Sequence, residues 1–312
     1  MSLRLEAEAF SAFCNRFDKE EVCIIALFEA KWPNGFHCPH CQHPSYYLIS
    51  TRRLPLYECR SCKTQTSLIK ETVMEGSRTS LRLWFQAIYL HSRSSSVNAL
   101  QLSDLIGVTY KTAWLICHKI RHAMSRTDSA HLLTGIVRVT DGIYCKRITS
   151  TFDWHKQEQP ILIGASNDEV GNIGYIKIKL QSKLPLRDKY DCPDTQPFLR
   201  NHVDPLATKN TIITRRYRRY GKPIDKTLVM ESHHATWWIG RLFRGVGPKH
   251  LQAYLDQYCY LSNHGIEVVF NHLLDACSTT HTIIYSVLIG RSTTIRSLKR
   301  LRNSVRVSQQ TG

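Results

Sequence analysis

Apolar side chains recur at helical spacing in the first part of the chain. Residues 4–30 and 81–89 place aromatic and aliphatic side chains at helical intervals, and both segments predict packing helices. Two shorter helical patterns, 99–106 and 111–124, meet at Gly107-Val108-Thr109. Glycine can end one helix there, and threonine can cap the next. The first part of the chain is therefore predicted to be helical, with one tight turn between two helices.

Beyond Gly135 the hydrophobic pattern becomes that of a β-sheet. Short apolar or alternating runs predict strands at 136–140, 160–164, 175–180, 211–214 and 227–230. A weak helix is predicted at 194–201, and a strong amphipathic helix begins at Pro248. Three strands, a helix and then further strands and helices are the order of an RNase H-like domain, in which a mixed sheet carries acidic residues that hold metal ions. The predicted fold class is an α/β multidomain protein.

Two Cys-x-x-Cys pairs lie within the helical part, between residues 37 and 62. Each short pair forms a tight knuckle, and two knuckles on a hairpin supply four thiolates to one tetrahedral zinc ion. The segment between them is rich in Tyr, Leu and Ile, with Arg at its turn, as expected of a two-stranded ribbon. The predicted zinc ligands are Cys38, Cys41, Cys59 and Cys62, although nearby histidines leave a mixed Cys/His set open. We expect this zinc to be structural.

Composition narrows the class of partner. The chain has 312 residues, a hydrophobic fraction of 42% and a formal net charge of +17. A basic excess of this size favours DNA, because the binding of Lys and Arg to phosphate releases counterions. No apolar run reaches membrane-spanning length and no signal peptide is visible, so a membrane partner is not expected. Eleven cysteines without a secretory signal fit a reducing compartment and predict a cytoplasmic protein.

The glycine turn between two helices also describes a helix-turn-helix. In that arrangement Lys111, Lys119 and Arg121 could face DNA phosphate. Two packed helices joined by a glycine cap would show the same hydrophobic spacing, so the pattern alone leaves both arrangements open. The basic charge of the chain favours the DNA-binding interpretation.

Several segments resemble the ISXO-like zinc-ribbon transposases of insertion sequences. The resemblance extends over roughly residues 20–265 and is carried by WPNGFHCPHC, ECRSCKTQTS, KTAWLICHKIRHAM and GVGPKHLQAYLDQYCYLSNH. It implies a DDE-type transposase whose RNase H-like domain cuts and rejoins DNA, with two Mg²⁺ or Mn²⁺ ions stabilising the attacking and leaving oxygens. It also implies a homo-oligomer on the ends of the element.

The resemblance assigns the catalytic positions one by one. The family's first aspartate corresponds to Asp141, within Asp-Gly-Ile-Tyr, and the third ligand corresponds to His234, with His233 adjacent. The second aspartate is expected directly after the strand that ends in threonine, and Arg215 stands at that position. A guanidinium cannot coordinate a cation. The nearest other carboxylates are Asp204, Asp225 and Glu231, which lie off the motif, and the sequence leaves open whether one of them replaces the missing ligand.

The segment that begins at Arg215 is strongly basic. Its arginines, with two interleaved tyrosines, could contact the DNA backbone or stack on unpaired bases, and they are Arg215, Arg216, Arg218 and Arg219. A solvated basic loop without a specific partner would have the same composition. Two functional hypotheses follow: a working transposase, or a catalytically decayed homologue that binds DNA without cutting it. With Arg215 in place, we expect Asp141 to form an ion pair instead of a metal site.

The predicted domain organisation has five parts. They are N-terminal helices (1–33), a zinc ribbon (34–70), a helical or helix-turn-helix DNA-binding region (78–126), an RNase H-like domain (134–264) and a basic tail (265–312).

Overall fold

The computed structural model describes residues 3–167, 172–217, 224–264 and 269–290. Its helices are α1 (Leu3–Arg16), α2 (Glu20–Lys31), α3 (Leu81–Ser92), α4 (Ala99–Ile106), α5 (Tyr110–Ala130), α6 (Gln196–His202), α7 (Lys226–Phe243), α8 (Pro248–Asn263), α9 (Val269–Thr279) and α10 (Tyr285–Leu288). Its strands are β1 (Tyr46–Ile49), β2 (Leu56–Cys59), β3 (Gln65–Ser67), β4 (Val137–Tyr144), β5 (Gln159–Asn167), β6 (Ile173–Leu180) and β7 (Ile212–Ile213). The predicted change from helix to sheet near Gly135 is confirmed.

The ribbon and the surrounding helices share one hydrophobic core. Strand β2 of the antiparallel sheet β1-β2-β3 contributes Tyr57 and Cys59 to the same buried cluster as Leu27 of α2 and Trp84 of α3, and Cys38 of the first knuckle joins them. Helix α9 also packs on α2, α3 and α5. The ribbon is therefore one face of a helical region, and it does not stand apart as a separate unit.

Local sequence accounts for the turn between α4 and α5. The Asn98 side chain accepts hydrogen bonds from the first turn of α4, and Gln101 completes a capping box. Gly107 ends the helix in the left-handed conformation (φ 67°), and the Thr109 side chain caps α5. The helix boundaries predicted at this turn are confirmed, and α5 continues to Ala130.

The second sheet has the order β6-β5-β4-β7. Strands β4, β5 and β6 pair antiparallel, whereas β7 runs parallel to β4. Helix α6 covers one face, where Phe198 packs directly on Gly164; a Cβ there would lie 2.5 Å from the Phe198 ring. Helices α7 and α8 cover the other face. The sheet is thus a buried layer between helices.

One strand prediction is wrong. Residues 227–230 belong to α7, whose first turn is capped by the side chain of Asp225. Leu228, Ala235 and Ile239 recur along one side of this helix and pack against β5 and α8. The short apolar run alone could not reveal this period, because a buried strand and the first turn of a buried helix look alike over four residues.

Helix α8 joins the helical region to the sheet. The Nζ of Lys179 on β6 lies 2.6 Å from Asp128 of α5 and 2.7 Å from Asp256 of α8. Arg121 of α5 donates to Gln257 of α8 at 2.7 Å, and all of these side chains are buried. Along the outer side of β6, Gln252 and Asn263 of α8 exchange hydrogen bonds with strand backbone.

None of the helices in the described ranges has both the length and the apolar character needed to cross a bilayer.

Candidate functional site

Four thiols meet at the base of the ribbon. The Sγ atoms of Cys38, Cys41, Cys59 and Cys62 all lie within 4.8 Å of one another. The Cys38–Cys62 and Cys41–Cys59 sulfur distances are both 3.5 Å. Zinc–sulfur bonds of about 2.3 Å in a tetrahedron place sulfurs about 3.8 Å apart, so the four thiols fit one zinc ion. No histidine joins them among the described residues, which favours the four-cysteine set.

Backbone geometry explains why the two pairs converge. In each knuckle the N–H of the first cysteine, Cys38 or Cys59, donates to a carbonyl oxygen five residues later. The residue after each second cysteine has a left-handed backbone, with φ of 61° at Gln42 and 59° at Lys63. These turns aim both thiols of a pair at the same point. Four cysteines close together suit a structural zinc ion.

The exposed face of the ribbon carries an aromatic ring between two cations. The ring of Tyr47 on β1 is half exposed, and the Arg60 guanidinium lies 4.7 Å from its centroid. The Lys63 ammonium lies 5.2 Å from the same ring. This surface can offer charge to phosphate and a ring to a base. Sequence reasoning missed it, because only the knuckle folds bring Arg60 and Lys63 to Tyr47.

Asp141 lies on β4, beside β7, and its carboxylate contacts Arg216. The backbone N–H of Arg216 donates to Oδ1 of Asp141 at 3.0 Å, and its Nε lies 3.3 Å from Oδ2. Both side chains are less than a tenth exposed. The Arg216 Nη2 also donates to the carbonyl oxygen of Lys189. Both carboxylate oxygens of Asp141 thus have cationic or N–H partners from a single residue.

Arg216 is held by a second buried ion pair behind it. The Nζ of Lys189 lies 3.0 Å from Oε1 of Glu158 and also donates to Thr149. Burial alone would raise the pKa of Glu158, but N–H donors from Thr149 and His155, together with Lys189, lower it to about 2. This charged network holds Lys189 in place, and the carbonyl oxygen of Lys189 accepts the hydrogen bond from Arg216.

Arg215 lies close to Asp141 without pairing with it. The register places Ile213 beside Val139, and the Thr214 N–H donates to the Val139 carbonyl, which brings residue 215 to the level of Asp141. The side chain of Arg215 lies near the thiol of Cys192 instead. Burial and the Asp141 carboxylate raise the pKa of that thiol to about 11, although both arginines act in the opposite direction. The cation that contacts Asp141 is therefore Arg216.

His234 and the other carboxylates have partners elsewhere. His234 on α7 is more than half exposed, and its Nδ1 lies 3.4 Å from Glu231. Glu231 also accepts from the Tyr258 hydroxyl at 2.9 Å, and burial, reinforced by Glu231, raises the pKa of Tyr258. Asp225 pairs with Arg138 at 2.8 Å. Asp204 accepts from the backbone of the turn that follows it.

The described residues therefore contain no group of carboxylates and imidazoles around Asp141 that could hold a metal ion. Mg²⁺ and Mn²⁺ require several oxygen ligands, and the Asp141 carboxylate is already paired with Arg216. The described side chains around Asp141 do not fit the Mg²⁺ or Mn²⁺ ions that the resemblance implies.

The structure corrects two of the predicted DNA contacts. Lys119 is buried, donates to the carbonyl of Glu75 at 3.1 Å, and has its pKa lowered by burial. Arg121 is also buried, between the rings of Tyr254 and Phe243. Neither can reach phosphate in this fold. Lys111 is exposed and remains a predicted contact. Arg218 and Arg219 lie outside the described residues.

Comparisons with known proteins find similarity in the ribbon and over a stretch of 99 residues. Residues 18–65 match the transposase zinc-ribbon domain. The chain is 34% identical over 99 residues to an uncharacterized protein in transposable element ISH50 of Halobacterium salinarum. That stretch covers 31% of this chain and 33% of the relative, so the match spans about one third of each protein. No solved structure matches. Together with the four-cysteine centre, these similarities identify a zinc ribbon of the insertion-sequence transposase type in the first third of the chain.

Proposed function

We propose that this protein binds DNA as a member of the transposase family but does not cut it. Its zinc ribbon, its net charge of +17 and its exposed basic and aromatic side chains support DNA binding. The ion pair between Asp141 and Arg216 supports the absence of cleavage. An insertion sequence has two ends, and binding both ends at once requires two copies of the chain. We therefore also propose a homo-oligomer on DNA.

The sheet domain supports an RNase H-like ancestry. Three antiparallel strands are followed by a helix and a strand that pairs parallel to the first, in the order β6-β5-β4-β7. In this arrangement a carboxylate in the middle of β4 and a residue just after β7 are neighbours. Asp141 and Arg215 occupy these positions, which is where the resemblance assigned the first and second aspartates.

The α4–α5 pair supports a helix-turn-helix. Its capped ends, left-handed Gly107 and exposed Lys111 fit a second helix that meets DNA through its amino-terminal turn. From Trp114 onward α5 packs on α8, where Trp114 and His118 contact His250, and Arg121 donates to Gln257. We therefore assign any DNA contact to the beginning of α5 alone.

A cleavage assay on DNA that carries the cognate ends tests the proposal. We expect no strand cleavage with Mg²⁺ or Mn²⁺, and no Mn²⁺ binding that depends on Asp141, because Arg216 neutralises that carboxylate. The double variant Arg215→Asp/Arg216→Ala should bind Mn²⁺, since it frees Asp141 and adds a carboxylate beside it. Adding Asp141→Asn to this variant is the matched control and should abolish the binding. Cleavage by the unaltered protein would refute the proposal.

Salt dependence tests DNA binding independently of cleavage. We expect the logarithm of the association constant for duplex DNA to fall linearly with the logarithm of salt concentration, because counterions are released. Reversal of Arg215, Arg218 and Arg219 to Glu should reduce the slope by roughly 0.9 for each phosphate contact that is lost. Lys209→Glu, an exposed charge ahead of β7, is the control and should change the slope less. An unchanged slope in the triple variant would assign the contacts to the ribbon or to α5.

A further inference from the structure

A basic groove lies between α7 and the turn that joins α3 to α4. The groove, termed here the α4/α7 groove, has a volume of about 730 Å³. That volume is within the range of small-molecule sites, roughly 300–1,000 Å³. Its lining consists of Phe10, Tyr89, Leu90, residues 93–98, Gln101, Leu105, Trp237, Trp238, Arg241, Leu242 and Arg244.

The charge of the lining selects for an anion. Arg93, Arg241 and Arg244 line the groove, and no Asp or Glu is among the described residues that form it. Neither Arg241 nor Arg244 forms an ion pair with a carboxylate in the described part of the chain. Serine hydroxyls between Arg93 and Asn98 add hydrogen-bonding groups. Such a lining suits a phosphodiester.

An exposed tryptophan stands at the rim of the groove. Trp237 is 62% exposed, although α7 buries other apolar side chains on its inner side. The Arg241 guanidinium, one helical turn later, lies 5.1 Å from the Trp237 ring centroid. A large exposed ring next to an arginine without an acidic partner is the pairing that binds an unstacked base together with its phosphate.

The wall beneath Trp237 is fixed in position. Trp238 Nε1 donates to the carbonyl of Ser94 at 3.1 Å, and the Asn98 amide donates to the carbonyl of Leu242 at 3.1 Å. These bonds tie α7 to the turn before α4. The groove is therefore formed before any ligand arrives, which limits the entropy lost on binding.

Trp237 also belongs to a second concavity, near the end of β4. This one measures about 550 Å³ and shares Trp237 and Arg241 with the α4/α7 groove. It is lined by Ile143 and Cys145, which follow Asp141 along the chain, and by His233. The tryptophan thus stands between the groove and the strand that carries Asp141.

We infer that Trp237 and Arg241 form a binding site for an unpaired nucleotide of DNA, with the base stacked on Trp237 and its phosphate held by the arginines of the α4/α7 groove. The inference rests on the proposed DNA binding and adds a preference for DNA with an unpaired base over blunt duplex. A purely electrostatic surface would not have this preference. A charged surface attracts duplex and single strand alike, whereas a stacking ring requires a base outside the helix.

The test compares a blunt duplex with the same duplex carrying a short single-stranded extension. We expect the unaltered protein to bind the extended DNA more tightly. Trp237→Ala should weaken binding to the extended DNA about tenfold while leaving the blunt duplex unaffected, because stacking acts only on the unpaired base. Trp237→Phe should keep most of the preference. Leu206→Ala, which removes another highly exposed apolar side chain, is the control and should change neither affinity.

A 2-aminopurine placed in the extension gives a second measurement. Its fluorescence should be quenched on binding to the unaltered protein and to Trp237→Phe, but not on binding to Trp237→Ala. If the protein binds both DNAs equally, the inference fails although the proposed function stands; if it binds neither, both fail. A Trp237→Ala variant that changes self-association and leaves DNA binding unaltered would make the groove a protein interface and overturn the inference.

Discussion

We expect Cys59→Ser to release the zinc ion and unfold residues 34–70 together with the packing of α2. The thiol is fully buried and lies within the core that holds Tyr57, Leu27 and Trp84. Structural zinc contributes roughly 10–16 kcal/mol in small zinc-binding peptides, which equals or exceeds the total stability of most domains. Metal analysis should give one zinc per chain before the change and none after it. Hydrogen exchange should show loss of protection in the ribbon and α2, with β4–β6 retained.

Cys14→Ser is the matched control for this experiment. Cys14 is a half-buried free thiol outside the four-cysteine group. Its replacement should leave the zinc content at one per chain. Retention of zinc by the double variant Cys38→Ser/Cys59→Ser would show that the four cysteines are not the ligands.

The second large effect is expected at Asp141 and Arg216. Either Arg216→Gln or Asp141→Asn should lower the free energy of unfolding by about 3–5 kcal/mol, because each leaves the other charge buried without its partner. The double variant should cost less than the sum of the two single changes, since neither charge then remains. Urea unfolding of the four proteins measures the difference.

A surface ion pair provides the comparison. Arg187 and Asp191 lie 3.1 Å apart, but the Arg187 side chain is 89% exposed. Arg187→Gln should therefore change stability by less than about 1 kcal/mol. If Arg216→Gln costs no more than Arg187→Gln, the pair does not hold Asp141 in place, and a carboxylate available to metal becomes the better account.

The sequence predicts those parts of the fold in which a hydrophobic pattern repeats over several turns or a motif has a fixed spacing. Helix α8 repeats its apolar side over four turns, and the two Cys-x-x-Cys pairs have a spacing that metal geometry explains. Residues 227–230 are too few to show whether their period is that of a strand or a helix, and the side that packs is visible only with Ala235 and Ile239 included.

Side-chain partners were harder to predict than elements. The sequence indicated that a cation would meet Asp141, but Arg215 and Arg216 are adjacent, and the direction of the chain after β7 decides which of them turns inward. Lys119 and Arg121 show the same limit, because a basic residue on a predicted helix can face phosphate or be buried against distant rings. The segment GVGPKHLQAYLDQYCYLSNH, which carried the resemblance, contributes Gln252, Asp256, Gln257 and Asn263 to the joint between the helical region and the sheet.

The amides of Gln252 and Asn263 also restrict how copies of the chain can associate. They occupy N–H and C=O groups on the outer side of β6 that would otherwise be open to a strand from another molecule. At the opposite edge, β7 has two residues, which is too short for stable pairing with an added strand. Within the described ranges, neither edge of the sheet offers a template for strand addition or for edge-to-edge aggregation. In the proposed homo-oligomer on DNA, the copies are therefore expected to contact one another through helices or loops.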